Sequence, residues 1–184
     1  MNICVYCSSA EQVDGEFQKQ ATELGKWMAK KGHTLVYGGA TGGLMTSVAE
    51  GAASEKGDIV GIIPECIVEK GRKSDLPTEL FVVGDMAERK TMMKEYADVF
   101  VVLPGGFGTL DEMFDTVSSC MVGEHDKPTI LFNSENFWMG LLFQLERIRK
   151  DGLGYKFTRN GNLRVVDTLD ELKDLLTQYA DEQC

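Results

Sequence analysis

Short β-rich runs alternate with helical patterns along the whole chain, and this alternation restricts the fold more than any other feature of the sequence. Two of the runs, VFVVL and IVGII, have no polar residue, as is typical of strands in a parallel sheet that is covered on both faces. This order of elements predicts an α/β fold, a Rossmann-like, doubly wound parallel sheet with helices on both faces. The predicted strands are 2–7, 33–37, 58–63, 80–83, 98–103 and 128–133, and the predicted helices are 16–31, 44–55, 86–97, 110–122, 137–149 and 169–179.

The size and composition of the chain favour one globular domain over residues 1–184. Hydrophobic residues make up 43% and charged residues 26% of the sequence, which is enough apolar material for a substantial core. The net charge of −10 argues against a nucleic-acid partner, which usually meets a basic surface. No apolar run approaches the roughly 20 residues that a membrane-spanning helix needs, so we expect a soluble protein without a membrane partner.

The cysteines and histidines indicate a reduced compartment and no metal. Five cysteines, an odd number, lie mostly within apolar runs, which is typical of reduced core thiols in the cytoplasm. Cys4 and Cys7 are three apart on a predicted strand, so they should point to opposite faces and not form a redox pair. Only two histidines are present, and we therefore expect no metal site. We expect no cofactor either.

The unusual residues of the sequence follow the predicted strands. Ser8 and Ser9 come after the first strand, GGATGGLM after the second, GDMAERK after the fourth and PGGFGTLDE after the fifth. Because the carboxyl ends of parallel strands meet at one edge of the sheet, these four loops should lie together. They predict a ligand site at that edge.

The PGGFGT loop favours a phosphate site. Gly105, Gly106 and Gly108 allow the backbone to approach a ligand, and the helix that follows offers unpaired N–H groups. A tight turn between a strand and a helix is the alternative interpretation. Thr109 and Glu112 also have the T-x-x-E spacing of a capping box, in which Glu112 would be a purely structural residue. YGGATGGLM lacks the G-x-G-x-x-G spacing of dinucleotide-binding loops, and no P-loop motif occurs.

An arginine lies on the predicted core side of the helix 86–97. Met86, Met93 and Ala97 form an apolar stripe at helical spacing, and Arg89 falls within it or beside it. Because a buried charge needs a partner, Arg89 is predicted to meet an anion. The alternatives are a structural ion pair or a side chain that extends to water.

The stretches MAERKTMMKEYADVFVVLPGGFGTLDE and YGGATGGLM closely resemble the Lonely Guy family of cytokinin-activating phosphoribohydrolases, which were formerly labelled lysine decarboxylases. The resemblance implies hydrolysis of the N-glycosidic bond of adenosine-type nucleoside 5′-monophosphates, giving a free base and ribose 5-phosphate. It also implies a homodimer with its sites near the interface. The resemblance assigns catalysis to Arg89 and Glu112, and substrate binding to Ser9, Gly39, Gly43, Met86, Lys90, Gly105, Gly106, Gly108 and Thr109.

The chain departs from the family pattern at four positions around the expected base and ribose. Ala40 and Ala87 replace a glycine and a histidine, and Ser8 and Thr46 stand where glycine is frequent. These departures bear on substrate preference and leave the reaction class unchanged.

The chemistry explains a carboxylate beside a phosphate loop. Glycoside cleavage passes through an oxocarbenium-like sugar, which a carboxylate stabilises or supplies with an oriented water. Arg89 is expected to keep Glu112 ionised, because a nearby opposite charge lowers the pKa of a carboxyl. Two alternatives are a nucleotide-binding sensor without turnover and a pyridoxal-phosphate decarboxylase, which would need a Schiff-base lysine.

The segment FWMGLLFQLERI predicts a further apolar contact, because it is apolar around more than one helical face. The helix 110–122 has the same property, with Met113, Phe114, Val117, Cys120 and Met121. Both helices predict at least a homodimer.

Overall fold

The computed structural model describes residues 1–154 and 163–182, and all strands of these residues belong to one parallel sheet. The seven strands lie in the order β4-β3-β2-β1-β5-β6-β7. Every neighbouring pair is parallel, so the predicted fold class is confirmed. The bounds are Asn2–Tyr6 (β1), Thr34–Tyr37 (β2), Ile59–Pro64 (β3), Glu79–Val83 (β4), Val99–Val102 (β5), Thr129–Phe132 (β6) and Leu163–Val166 (β7).

Helices connect the strands, as parallel pairing requires. A 3₁₀ turn at Ser134–Asn136 precedes the sixth of them. The helices are Gly15–Lys30 (α1), Gly43–Ser54 (α2), Glu65–Val68 (α3), Met86–Tyr96 (α4), Phe107–Met121 (α5), Met139–Lys150 (α6) and Leu169–Glu182 (α7).

The helices bury both faces of the sheet. On one face α1, α2 and α7 contribute Leu24, Val48 and Leu172 to a single buried cluster. On the other face, Met93 of α4 and Met113 of α5 belong to a second cluster. A strand covered on both sides gains nothing from polar alternation, which explains the unbroken apolar runs of β3 and β5.

The order of the strands reverses beside β1. The chain adds β2, β3 and β4 on one side of β1 and then crosses over to place β5, β6 and β7 on the other side. Tyr6 of β1 is in register with Val102 of β5, so both strands end at the same level. The loops that leave them must separate, and a crevice opens between them at the carboxyl edge.

The sequence predicted six of the strands with every end correct to one residue, and it missed β7 and α3. β7 has only four residues, and Arg164 breaks up its apolar run. The strand pairs only with β6 at the edge of the sheet. The largest error at the start of a helix concerns α5, which begins at Phe107, whereas a start at 110 was predicted.

No helix of the described residues is long and apolar enough to cross a membrane. These residues contain no group of three or more His, Cys, Asp or Glu that could hold a metal ion. Cys4, Cys7, Cys66 and Cys120 are free thiols, and Cys4 and Cys7 belong to opposite buried clusters. Cys184 lies outside the described residues.

Candidate active site

A cavity of about 430 Å³ opens at the carboxyl edge of the sheet, beside the crevice between β1 and β5. Its volume lies in the range of pockets that hold small-molecule ligands. The wall combines the loop after β1, the start of α2, the connection after β3 and the first turns of α4 and α5. The lining residues are Cys7, Ser8, Ser9, Ala10, Met45, Ile67, Arg72, Met86, Arg89, Gly106, Gly108, Thr109 and Glu112.

The predicted site residues divide into a group that lines the cavity and a group that lies beside it. Of the departures from the family pattern, Ser8 lines the cavity, whereas Ala40, Thr46 and Ala87 are not part of its lining. The lining group is Ser9, Met86, Arg89, Gly106, Gly108, Thr109 and Glu112, and the other group is Gly39, Gly43, Lys90 and Gly105.

The predicted residues outside the lining have structural contacts. Gly39 accepts a hydrogen bond from the backbone N–H of Ser74 at 2.9 Å. A Cβ on Gly43 would lie 2.3 Å from the carbonyl oxygen of Ala10, so this glycine allows α2 to begin against the loop after β1. A Cβ on Gly105 would lie 2.1 Å from the hydroxyl oxygen of Thr109.

Lys90 of α4 forms ion pairs with two carboxylates of α5. Its Nζ lies 2.9 Å from Oδ1 of Asp111 and 3.7 Å from Oδ1 of Asp115. These ion pairs join α4 to α5 beside the cavity. A substrate would have to compete with two carboxylates for this ammonium group.

Arg89 and Glu112 form an ion pair inside the cavity wall. Nη2 of Arg89 donates to Oε1 of Glu112, and the side chains are 7% and 2% exposed. The anion that the sequence predicted for Arg89 is therefore this carboxylate. Nε of Arg89 is buried and has no hydrogen-bond partner among the described residues. The pair brings a cation and a carboxylate together where a ligand can reach both.

The capping-box interpretation of Glu112 is wrong. The N-cap of α5 is Gly106, so Thr109 already lies within the helix and is buried. Glu112 points to Arg89 and not back to the helix start. The chain has such a box at α7, where Thr168 accepts from the backbone N–H of Glu171 and Glu171 accepts from that of Thr168, both at 3.2 Å. Side-chain contacts of Glu112 thus belong to the cavity and not to the helix terminus.

Burial decides the protonation of Glu112. Desolvation raises its pKa to about 7, and the neighbouring Arg89 lowers it without cancelling that effect. The expectation that Arg89 keeps this carboxyl fully ionised is therefore corrected, because loss of water outweighs the single arginine. Burial also raises the pKa of the Cys7 thiol on the cavity wall, so that this group stays neutral. Glu112 can consequently exchange a proton near neutral pH.

The N-terminus of α5 is open toward the cavity. No side chain caps this helix, and a Cβ on Gly106 or on Gly108 would meet no atom within 4 Å. Free N–H groups and the positive end of the helix dipole attract an anion at such a position. By contrast, α2 begins with its N–H groups of Leu44 and Met45 bonded to the carbonyl of Ser8. The open terminus is therefore that of α5.

Sequence reasoning missed several residues of the wall. Met45 belongs to the GGATGGLM stretch, and Cys7 and Ala10 flank the predicted Ser8 and Ser9, so their positions in the sequence could have indicated them. Ile67 and Arg72 come from the connection between β3 and β4, where the sequence has no motif. Only the folded chain brings them to the cavity.

Comparison with known proteins gives a family and a fold. The family model described as possible lysine decarboxylase matches residues 45–179. The cytokinin riboside 5′-monophosphate phosphoribohydrolase LOG of Oryza sativa subsp. japonica is 35% identical over 183 residues, which cover 98% of this chain and 74% of the rice protein. The phosphoribohydrolase LOG3 of Arabidopsis thaliana is 32% identical over 178 residues, 97% of this chain and 82% of that protein.

Among solved structures, the molybdenum cofactor binding protein of the phototrophic bacterium Rippkaea orientalis has a similar fold. The TM-score is 0.73 at 24% sequence identity, and the match covers 96% of this chain and 95% of that chain. This likeness concerns the fold alone.

The raised pKa of Glu112 predicts a pH-dependent stability. The folded chain holds a proton on this carboxyl up to about pH 7, whereas the ordinary value is 4.5. Its contribution to stability is therefore complete below about pH 4.5 and is lost as the pH rises through about 7. Glu112→Gln removes this titration. The free energy of unfolding of the variant minus that of wild type should therefore be larger at about pH 8 than at about pH 5.

Urea denaturation at both pH values measures this shift. Glu50→Gln, the same change at an exposed position of α2, controls for the loss of a carboxylate from a helix. An equal difference between Glu112→Gln and wild type at the two pH values would contradict the raised pKa.

Proposed function

The chain belongs to the Lonely Guy (LOG) family, and from this membership we propose that it is a phosphoribohydrolase that cleaves nucleoside 5′-monophosphates. The proposed reaction hydrolyses the N-glycosidic bond of an adenosine-type 5′-monophosphate, either a cytokinin riboside 5′-monophosphate or AMP. The products are the free base and ribose 5-phosphate. The proposal treats residues 1–184 as one Rossmann-like hydrolase domain that uses no metal or cofactor.

The observation that carries the proposal is the position of the Arg89–Glu112 pair relative to the open end of α5. Gly108 and Glu112 are four residues apart, one helical turn, and both line the cavity. A phosphate bound at the N-terminus of α5 would hold the attached ribose beside Glu112. Fixing the sugar in this way supplies much of the rate gain of an enzyme, since the reacting groups no longer have to find each other.

The phosphate subsite would consist mainly of backbone. Gly106 and Gly108 leave room for the phosphate oxygens, and the N–H groups of the first turn donate to them. Thr109 is nearby, with its side chain buried against Gly105. Ser9 and Met86 line the same cavity and would contact the ribose or the base.

The chemical step assigns different tasks to the two charged residues. Both electrons of the breaking glycosidic bond go to the base, which takes up a proton from solvent, while water adds to the sugar carbon and its proton returns to solvent by way of Glu112. The Glu112 carboxylate would accept the proton of that water and stabilise the oxocarbenium-like sugar. Arg89 would orient the carboxylate, and its unpartnered Nε would donate to a substrate oxygen. A carboxyl with a pKa near 7 suits proton transfer at neutral pH.

The compartment and the base preference are further parts of the proposal. We place the reaction in the cytoplasm, where the free thiols Cys4, Cys7, Cys66 and Cys120 would stay reduced. Ser8 is the departure from the family pattern that lines the cavity, so we assign to it an influence on base or ribose preference. A nucleotide panel, scored by chromatography for released base, tests the reaction and ranks the substrates. Nucleotide binding without any base release would favour a sensor.

A requirement for the 5′-phosphate is the first expected property of this reaction. The helix terminus supplies binding energy that places the ribose, so AMP should be cleaved and adenosine hardly at all. Base release from both compounds at equal concentration is the measurement. Comparable rates would exclude the phosphate anchor.

Substitution of Glu112 should separate binding from chemistry. Glutamine fills the same space and can still accept from Arg89, but it cannot take a proton from water or offset a positive charge. Turnover should fall roughly 10²- to 10⁴-fold while AMP still binds. Glu50→Gln, the same change at an exposed position of α2 outside the cavity lining, is the matched control and should retain activity. Near-normal turnover by Glu112→Gln would remove Glu112 from the mechanism.

Exposed apolar side chains on α5 and α6 support the proposed homodimer. Met113, Val117 and Cys120 are buried within the subunit and are not available to a partner. The exposed set is Phe107, Phe114, Met121 and Val122 at α5, with Phe137, Met139 and Phe143 at α6. A continuous association surface on these helices would cover them.

Light scattering tests the association. A dimer of this 20.4 kDa chain should have about twice that mass at micromolar concentration. Phe143→Asp should shift the mass toward the monomer, because a charge would enter the apolar interface. Leu153→Asp is the control, since Leu153 and Phe143 are both 77% exposed and Leu153 lies outside the helices. A monomeric wild type would contradict the dimer.

A further inference from the structure

Arg72 reaches the cavity from the connection between β3 and β4, which the loop after β2 holds in place. The backbone N–H of Thr41 donates to the carbonyl of Arg72 at 2.8 Å. On the next residues, Ala40 and Lys73 form an antiparallel bridge, and Ser74 donates to Gly39. The backbone at Arg72 is therefore fixed relative to the start of α2.

Two backbone carbonyl groups fix the position of the Arg72 guanidinium. Its Nη2 donates to the carbonyl oxygens of Ser9 and Thr41, both at 2.8 Å. Gly42 vacates the space for it, since a Cβ at this position would lie 2.9 Å from the same nitrogen and 2.4 Å from the Ser9 oxygen. The φ of Gly42 is +108°, which side-chain-bearing residues rarely adopt.

Part of this guanidinium remains available. The two contacts use Nη2, whereas Nε and Nη1 have no hydrogen bond within residues 1–154 and 163–182, and no carboxylate of these residues pairs with Arg72. A guanidinium carries five N–H bonds, so the remaining two nitrogens present three. Arg72 thus brings a fixed, unpaired cation with free donors to the cavity wall.

The Arg72 guanidinium lies to one side of the proposed phosphate subsite. It bonds to the loops after β1 and β2, whereas the glycine loop, Pro104–Gly108, follows β5 on the other side of β1. One to two strand spacings, about 5–10 Å, separate the two. Ile67, which accepts from the backbone N–H of Arg72, adds an apolar surface to the wall on the Arg72 side, and Met45 lines the wall nearer Arg89. A nucleotide with its phosphate at α5 and its ribose at Glu112 would extend its base toward this side.

We propose that Arg72 recognises the nucleobase, donating from Nε or Nη1 to an unprotonated ring nitrogen of a purine while Met45 and Ile67 contact its faces. This inference rests on the proposed function for the orientation of the nucleotide. Purine ring nitrogens are hydrogen-bond acceptors, and a charged donor is the stronger partner for them. The hydrogen bonds to Ser9 and Thr41 already order the long side chain before the base binds, so less conformational entropy is lost on binding.

The test compares a ligand that has a base with one that lacks it. Affinities for AMP and for ribose 5-phosphate are measured by calorimetry in the Glu112→Gln protein, which avoids turnover, with and without Arg72→Gln. AMP binding should weaken roughly ten- to hundred-fold, and ribose 5-phosphate binding should stay nearly constant. The ratio of the two affinities within one protein does not depend on the folded fraction. Lys73→Gln removes the neighbouring exposed cation and should leave both affinities unchanged.

Arg72→Lys separates recognition from a structural role. The lysine ammonium can still donate to the two carbonyl groups, but it has no second nitrogen for the base. AMP binding should therefore remain weak in this variant, whereas a purely structural arginine would be rescued. Parallel losses for both ligands, an unchanged ratio or rescue by lysine would overturn the inference. A selective loss of ribose 5-phosphate would also overturn it and assign Arg72 to the phosphate.

The same experiment distinguishes this inference from the proposed function. If wild type releases no base from any nucleotide but Arg72→Gln selectively weakens AMP, the hydrolase proposal fails and base recognition by Arg72 stands. If wild type cleaves AMP and the affinity ratio does not change, the hydrolase proposal stands and the role of Arg72 fails.

Discussion

Arg89 and Glu112 are buried against each other where α4 meets α5, and neither charge would be stable there alone. The pair ties two helices that are separate in sequence to one orientation. This orientation sets the direction of the first turn of α5, and with it the glycine loop that opens the cavity. Removing Glu112 would leave an uncompensated guanidinium beside the core, and removing Arg89 would favour protonation of the carboxyl, so the geometry of the wall depends on both. A functional site explains such a pair better than stability does, because the attraction within a buried ion pair often fails to offset the free energy of desolvation.

The acidity of the protein does not prevent an anion from binding, since the charges that matter are local. The chain carries a net charge of −10, and Glu112 neutralises Arg89 within the wall. What remains to attract a phosphate is the uncapped N-terminus of α5, and what remains as an unpaired cation is Arg72. Charges separated by more than about 8–10 Å are largely screened at the surface, so distant carboxylates have little influence there. The α5 terminus follows β5, and the Arg72 guanidinium bonds to the loops after β1 and β2, so the two features suit different parts of a nucleotide.

Close backbone packing builds the remainder of the wall. The loop after β1 lies against the start of α2, where Gly42 and Gly43 have no side chain to obstruct the carbonyls of Ser9 and Ala10. Ser8 accepts from α2 and donates to Pro104 of the glycine loop, so it links the two loops that flank the crevice. The site is therefore held by backbone contacts, which side-chain motion does not loosen. An enzyme that must position a ribose within reach of one carboxylate benefits from such rigidity.

The sequence by itself determined the fold class, six of the strands and the loop Gly105–Gly108, and it predicted an anion partner for Arg89. These follow from local properties: apolar runs, helical spacing and residues whose chemistry is unusual where they stand. The prediction of a catalytic Glu112 came from the family resemblance. Only the tertiary structure decided that α5 begins at Phe107, that β7 completes the sheet, and that burial raises the pKa of Glu112 to about 7. The same holds for Arg72, whose hydrogen-bond partner Ser9 is 63 residues away in the chain. Desolvation, edge pairing and contacts across the sheet depend on which distant residues meet, and no short stretch of sequence contains that information.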